Sequence, residues 1–295
     1  MNKYFTAFFL LVLSFFYIFF SNDSGGGRVF VNLLTFAGIY GLAAIGINVH
    51  FGWTGLLNFG HAAFMGIGAY TTVLLIPHSL GREGVVISTG LPLPLAIILG
   101  LIASALLGLL LGLPTLRLRG DYLAIVTIAA AEIFRLLVRD FEDLTGGVYG
   151  IIQFSDSLQN SRPDFITQFS ENYNISSAQL WVGLLTWFSI VFVLIILARL
   201  KKSPWGRALR AVREDEDAVR ALGKNAVLLK LQSFMLGAAI GGLSGIFLVF
   251  NYGTVQASTF VPVLTFYVWA ALILGGVGSL GGPDLGAVIF WLIIA

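Results

Sequence analysis

Glu132 and Arg135 stand three residues apart inside an apolar run, so on a helix they share a face and can pair. An ionisable side chain within a membrane span is a candidate for handling solute, which makes Glu132 a candidate pathway residue. The other reading is a structural ion pair, with Arg135 snorkelling toward an interface. The histidines are His50, His61 and His78, and no two show a tight metal-ligand spacing. There is no cysteine, which excludes thiol catalysis, disulfides and Cys-based metal sites. No nucleophile–base–acid pattern occurs, and no carboxylates are paired at a catalytic spacing. A Gly-x4-Gly-Lys-Ser/Thr phosphate loop is missing as well; Gly223-Lys224-Asn225 lacks the glycine-rich lead-in. These residues can bind and pass a solute, but they offer no means of transforming one. No metal and no organic cofactor is expected.

The second chemical feature is a break between two apolar runs. Gly52-Trp53-Thr54-Gly55-Leu56-Leu57-Asn58-Phe59-Gly60-His61 combines three glycines with the polar Thr54 and Asn58. No strand precedes these glycines, so they are not a dinucleotide fingerprint. Irregular backbone at membrane depth is tolerated only where protein or a water-filled cavity covers it. On that reading Trp53, Thr54, Asn58 and His61 are pathway candidates. An ordinary turn at the membrane surface, with a packed His61, is the other reading.

The elements that must position these residues follow from composition. Of 295 residues, 57% are hydrophobic and 11% are charged, and the mean hydropathy is +0.90. A soluble chain of this length cannot bury that much apolar surface, so the solvent is largely lipid. The 35 glycines, many of them inside apolar runs, let membrane helices approach closely. Apolar runs are expected to span at 4–20, 29–51, 60–76, 92–113, 122–138, 180–199, 231–250 and 261–276, with a last run from Leu285. That run is still apolar at Ala295, which implies either a truncated product or a partly inserted final segment.

Basic residues set the orientation. Nine of the seventeen fall at Arg199, Lys201, Lys202, Arg207, Arg210, Arg213, Arg220, Lys224 and Lys230. That segment, about 200–230, is expected in the cytoplasm. The acidic loop 139–179 is expected outside, the Arg117–Arg119 turn inside, and Lys3 inside after residues 1–28 are read as an anchor span and outer loop. The basic segment is too acid-balanced, and too close to the membrane, to indicate nucleic acid.

Within 200–230, Ser203-Pro204 reads as N-cap and first helical residue. Trp205, Ala208, Leu209 and Val212 then recur at i, i+3, i+4 and i+7 as an apolar stripe, with Arg207, Arg210 and Arg213 on another face. Glu214 to Asp217 form an acidic run, and Gly223 is placed to end a second short helix in a left-handed conformation. The segment is either a solvated amphipathic helix hugging the membrane or a rigid docking element for a soluble partner.

The stretch Glu216-Asp217-Ala218-Val219-Arg220-Ala221-Leu222-Gly223 resembles the cytoplasmic Glu-Ala-Ala…Gly loop of ABC importer permeases, with Asp217 in place of the first alanine. The run Ser203-Pro204-Trp205-Gly206-Arg207-Ala208-Leu209-Arg210-Ala211-Val212-Arg213-Glu214 resembles permeases of the branched-chain amino acid importers, the LivM type. The stretch 52–64, the stretch 116–124, Thr145-Gly146-Gly147 and Gly275-Gly276-Val277-Gly278-Ser279-Leu280-Gly281-Gly282-Pro283 are similar to the same family. The resemblance implies an all-α polytopic bundle of eight to nine spans, forming a single permease domain over 1–295 with a cytoplasmic coupling helix. It places the chain in the bacterial inner membrane. It assigns contact with an ATPase to Trp205, Arg207, Arg210, Arg213, Glu216, Ala218 and Gly223. It implies a second, LivH-like permease, two cytoplasmic ATP-binding subunits, an external solute-binding protein and a small amino acid as solute. A urea or short-amide permease is the rival within that class, and an ion-gradient-driven secondary transporter the rival outside it.

Overall fold

The computed structural model describes residues 26–80, 86–87, 90–115, 120–172 and 175–294. The expected span 4–20 with Lys3, and the Arg117–Arg119 turn, lie outside the described residues. Among the described residues, four helices are long and apolar enough to cross a membrane: α1 (Gly26–Ile47, prolonged to Gly52 by a wider π-type turn), α3 (Leu93–Thr115), α8 (Ser177–Lys202) and α11 (Ala226–Tyr252). Helix α4 (Gly120–Asp140) has comparable length but carries Glu132, Arg135 and Arg139. Shorter apolar helices are α2 (His61–Leu75), α12 (Pro262–Gly275) and α13 (Gly282–Ile294).

The apolar runs expected at 60–76 and 261–276 are helical to within about a residue at each end, though both helices fall short of a full span. Helices α2 and α12 have 15 and 14 residues, about 21–23 Å at 1.5 Å per residue, short of the roughly 30 Å hydrocarbon core. Each is preceded by a broken segment: irregular backbone over 55–60 before α2, and a 3-10 turn at Ala257–Phe260 before α12. Pro262 fixes the start of α12 by occupying its first turn, where no amide donor is needed.

Helix α3 shows how sequence sets packing. Ala96, Gly100, Ser104, Gly108 and Gly112 recur every fourth residue and are buried. Leu95, Ile98, Ile102, Leu106 and Leu110 occupy the opposite, exposed side. Small side chains let α3 lie closely on α11 and α2, and the Ser104 hydroxyl donates to the Phe64 carbonyl at 3.1 Å. Helix α11 is the central post of the bundle, packed against α1, α2 and α3.

The loops gather in two groups. At one end β1 (His78–Leu80) pairs antiparallel with β2 (Val86–Ile87) and with β3 (Ile151–Ile152), in the order β2-β1-β3. Ile151 also bridges Val255. Short helices α5 (Glu142–Thr145), α6 (Asp156–Gln159) and α7 (Asp164–Asn172) belong to the same long loop. At the other end lie α9 (Pro204–Glu214) and α10 (Glu216–Ala221) with the loop 276–281. The small sheet is an addition to the all-helical expectation. Its strands, of two or three residues, are too short to show an alternating pattern.

Candidate functional site at the basic end of the bundle

Helix α9 starts where Ser203 turns the chain out of α8. Its side chain accepts from the Gly206 amide at 3.3 Å, and Pro204 fills the first turn. The arginines of α9 reach back to the carboxyl end of α8. Arg207 Nη1 donates to the Lys202 carbonyl at 2.9 Å and Arg210 Nη2 to the Lys201 carbonyl at 3.2 Å. Carbonyls left over at a helix C-terminus carry partial negative charge, so these cations satisfy and stabilise them. Asp215 is extended (φ −154°) and caps α10 by accepting from the amides of Asp217 and Ala218, both at 3.0 Å. Glu216 accepts from Arg220 at 2.6 Å and also pairs with Lys230 of α11. Gly223, at φ +74°, ends α10 in the left-handed region that disfavours a side chain.

The α9–α10 pair is fastened to the bundle. Leu209 and Val212 are buried beneath it. Trp205 Nε1 donates to Gln232 Oε1 at 2.7 Å, and its ring meets Trp53 edge to face with centroids 6.2 Å apart. Arg213 Nη1 donates to the Gly52 carbonyl at 2.6 Å. Both contacts land on the end of the π-type turn Asn48–Gly52, where α1 gives way to the broken stretch.

That stretch is sealed by protein. Thr54 Oγ1 donates to the His50 carbonyl at 2.6 Å. The Phe59 amide donates to Thr127 Oγ1 at 3.1 Å, Trp269 Nε1 donates to the Asn58 carbonyl at 2.9 Å, and the Ala62 amide donates to Thr265 Oγ1 at 3.0 Å. Gly55, at φ +72°, makes the bend. The network also fixes the state of one ring. The Gly60 amide can only donate, so the Asn58 atom 2.9 Å away is Oδ1. The other amide atom is then Nδ2, which donates to His50 Nδ1 at 3.1 Å. His50 therefore carries its hydrogen on Nε2 and donates it to the Phe234 carbonyl at 2.9 Å.

The loop 276–281 closes the junction. Asn48 Oδ1 accepts from the Gly278 amide at 2.8 Å and Asn48 Nδ2 donates to the Ser279 carbonyl at 2.7 Å. Lys201 Nζ donates to the Gly278 carbonyl at 2.8 Å.

The structure thus gathers Trp205, Arg207, Arg210, Arg213, Glu216, Ala218 and Gly223 in one unit, and Trp53, Thr54 and Asn58 in a second. Trp205 and Arg213 join the two. His61 heads α2 and is fully buried in the gap left by Gly46 and Gly241; a Cβ at Gly241 would stand 2.6 Å from His61 Nε2. Glu132 lies apart on α4, half-exposed, with Arg135 Nε and Nη2 donating to its two oxygens at 2.9 and 2.5 Å. Two residues of the site escape the sequence reading. Asn48 lies near the end of the apolar run 29–51 and carries no local signal of its partners. Leu222 is 80% exposed at the tip of the α9–α10 pair, and its only signal was an apolar residue directly before Gly223.

A helical bundle with broken spans and an amphipathic helix pair fastened to the break defines a class: a polytopic membrane protein with an outlying helix pair. The chain belongs to the family described as the branched-chain amino acid transport system permease component, which matches residues 29–295. The high-affinity branched-chain amino acid transport system permease protein LivM of Salmonella typhimurium is 37% identical over 270 residues, covering 88% of this chain and 61% of that protein. A probable LivM of Methanocaldococcus jannaschii is 28% identical over 286 residues, with 88% and 79% covered. The permease protein LivH of Escherichia coli is 28% identical over 266 residues, with 88% and 81% covered. The chain spans about three fifths of the length of the Salmonella relative. No solved structure matches.

Proposed function

We propose that the chain forms one membrane-spanning half of an ATP-driven importer for branched-chain or other neutral amino acids. In this reading α9 and α10 face the cytoplasm and the three-stranded sheet faces outward, with eight to nine spans and a cytoplasmic N-terminus. A second, LivH-like permease completes the pathway; likeness to both LivM and LivH proteins supports a paired arrangement. Two ATP-binding subunits dock on α9–α10, and an external solute-binding protein delivers the amino acid. The membrane is the inner membrane.

The observation that carries the reading is the bond from Arg213 to the Gly52 carbonyl. It links a helix pair lying outside the bundle to backbone beside the broken stretch that precedes α2. Displacement of α9 by a moving partner is therefore delivered to the π-type turn and the stretch 55–60. A mechanical link of that kind is what a power stroke requires. The scarcity of charge along the spans suits a neutral or zwitterionic solute.

The test is co-expression with the candidate partners, followed by uptake of labelled leucine, alanine, proline and urea into vesicles. ATP-dependent uptake of an amino acid, with an ATPase co-purifying, is expected. Preference for urea would move the assignment to a short-amide permease. Uphill uptake by the purified chain alone, without nucleotide, would overturn the importer reading.

A further inference from the structure

Helix α4 fits neither environment that a membrane bundle offers a helix. Its 21 residues measure about 31 Å, enough to cross the hydrocarbon core. Yet it is not among the described helices that are long and apolar enough to face lipid, and protein hardly covers it. Among its described side chains only Leu123, Thr127, Ala131 and Val138 are buried, which makes a single narrow stripe at helical spacing. At about 3.6 residues per turn Glu132 lies opposite that stripe. Tyr122, Ile125 and Ile133 are exposed on the same outer side.

The other long helices set the contrast. The exposed sides of α3 and α8 are apolar, with Leu106 and Leu110 on one and Phe188 and Phe192 on the other. Lipid tails are as apolar as these side chains and receive them readily. On α4 the corresponding side carries an ion pair, and Glu132 sits about 12 Å inside the sheet end of the helix. An arginine that snorkels would stretch toward that end. Arg135 instead turns back, and its Nε and Nη2 both donate to Glu132. Its remaining N–H groups meet no acceptor among the described residues. Ionisable side chains in a span face protein or water rather than hydrocarbon.

We propose that this outer side of α4 is the seam with the second membrane subunit. The proposal rests on the importer reading above and adds which surface the two subunits share. The occupant has to lie within the bilayer, alongside a helix of membrane length. Of the partners in that reading only the second permease does so; the ATP-binding subunits and the solute-binding protein lie outside the bilayer. The partner is expected to present a helix with an acceptor facing Arg135, a donor facing Glu132 and apolar side chains facing Ile125 and Ile133. Polar groups that hydrogen-bond across helices hold membrane bundles together in this way.

The test places a photoreactive benzophenone side chain at Ile125 or at Ile133, in membranes holding the assembled transporter. Illumination is expected to join the chain to the second permease from both positions. From Leu106, on the lipid-facing side of α3, no protein adduct is expected. A charge swap, Glu132→Arg with Arg135→Glu, keeps a pair within the helix but inverts what it presents. It is expected to leave the melting temperature of the free chain unchanged and to cut recovery of the second permease several-fold. Co-purification of the second permease without an adduct from Ile125 or Ile133 would overturn the seam while leaving the importer reading standing. Adducts formed only within this chain, or only between copies of it, would overturn the occupant. Undiminished recovery with the swapped pair would overturn the polar contact. Failure of any second permease to co-purify with the unaltered chain would overturn both readings.

Discussion

Arg213 makes a charge-assisted bond to a backbone carbonyl, a class worth roughly 1.5–3 kcal/mol. Its planar fork holds that geometry while the aliphatic stem lies against Gly55, and a lysine ammonium does not reproduce it. Arg213→Lys and Arg213→Ala are both expected to cut uptake by about tenfold, since about 1.4 kcal/mol is a factor of ten, while ATP hydrolysis by the assembled transporter continues. Parallel uptake and ATPase assays check this, and equal loss of both activities would argue against a transmitting role. Asn58 is a different case, because its amide serves two buried partners at once. Asn58→Ala leaves the Gly60 amide and His50 Nδ1 unmatched. Each orphaned group costs roughly 1–3 kcal/mol, so the melting temperature in detergent is expected to fall by several degrees.

At the scale of elements, the contact of α1, α2 and α11 is set by volume. His61 fills the gap between Gly46 and Gly241, and a methyl at either glycine collides with its ring. Gly241→Ala is expected to destabilise the protein by about 1–3 kcal/mol through overpacking, and adding His61→Ala should restore much of it. A double-mutant cycle on thermal unfolding reads the compensation; simple additivity would show that the two residues do not share the space. The Glu132–Arg135 pair on α4 gives a second cycle. Removing one partner leaves a lone charge within the span, so Glu132→Gln is expected to lower stability more than Glu132→Gln with Arg135→Gln. These elements also mark what the sequence makes legible. Ser203, Pro204 and Gly223 are local signals, because a cap or a positive φ is decided by the residue that adopts it. The break at 52–60 is visible for the same reason. Helices α2 and α12 fall on the expected runs 60–76 and 261–276 as well, but the 3-10 turn at Ala257–Phe260 has no comparable local signal. The clasp of Asn48 on Gly278 joins residues 230 positions apart, and only the folded bundle brings them together.

For the molecule as a whole, the most exposed apolar side chain at the basic end, among the described residues, is Leu222 just past α10. An isolated apolar tip framed by Asp217, Arg220 and Lys224 has the make-up of an anchor for a pocket on another protein. Leu222→Ser is expected to leave the melting temperature of the free chain unchanged and to reduce recovery of the ATPase in a pull-down. A loss of chain stability, or undiminished recovery, would deny it that part. The two ends of the bundle also differ in kind. At one, backbone ladders lace residues 78–80, 86–87 and 151–152 together, with Val255 joined through Ile151. At the other, most of the ties are side-chain bonds and ring contacts rather than backbone ladders. A rod stitched at one extremity and buttoned at the other swings widest at the buttons. If the stitched end is the fulcrum, amide exchange at Ile151 and Val255 should stay slow and insensitive to nucleotide while exchange around Gly52 and Gly278 quickens during turnover.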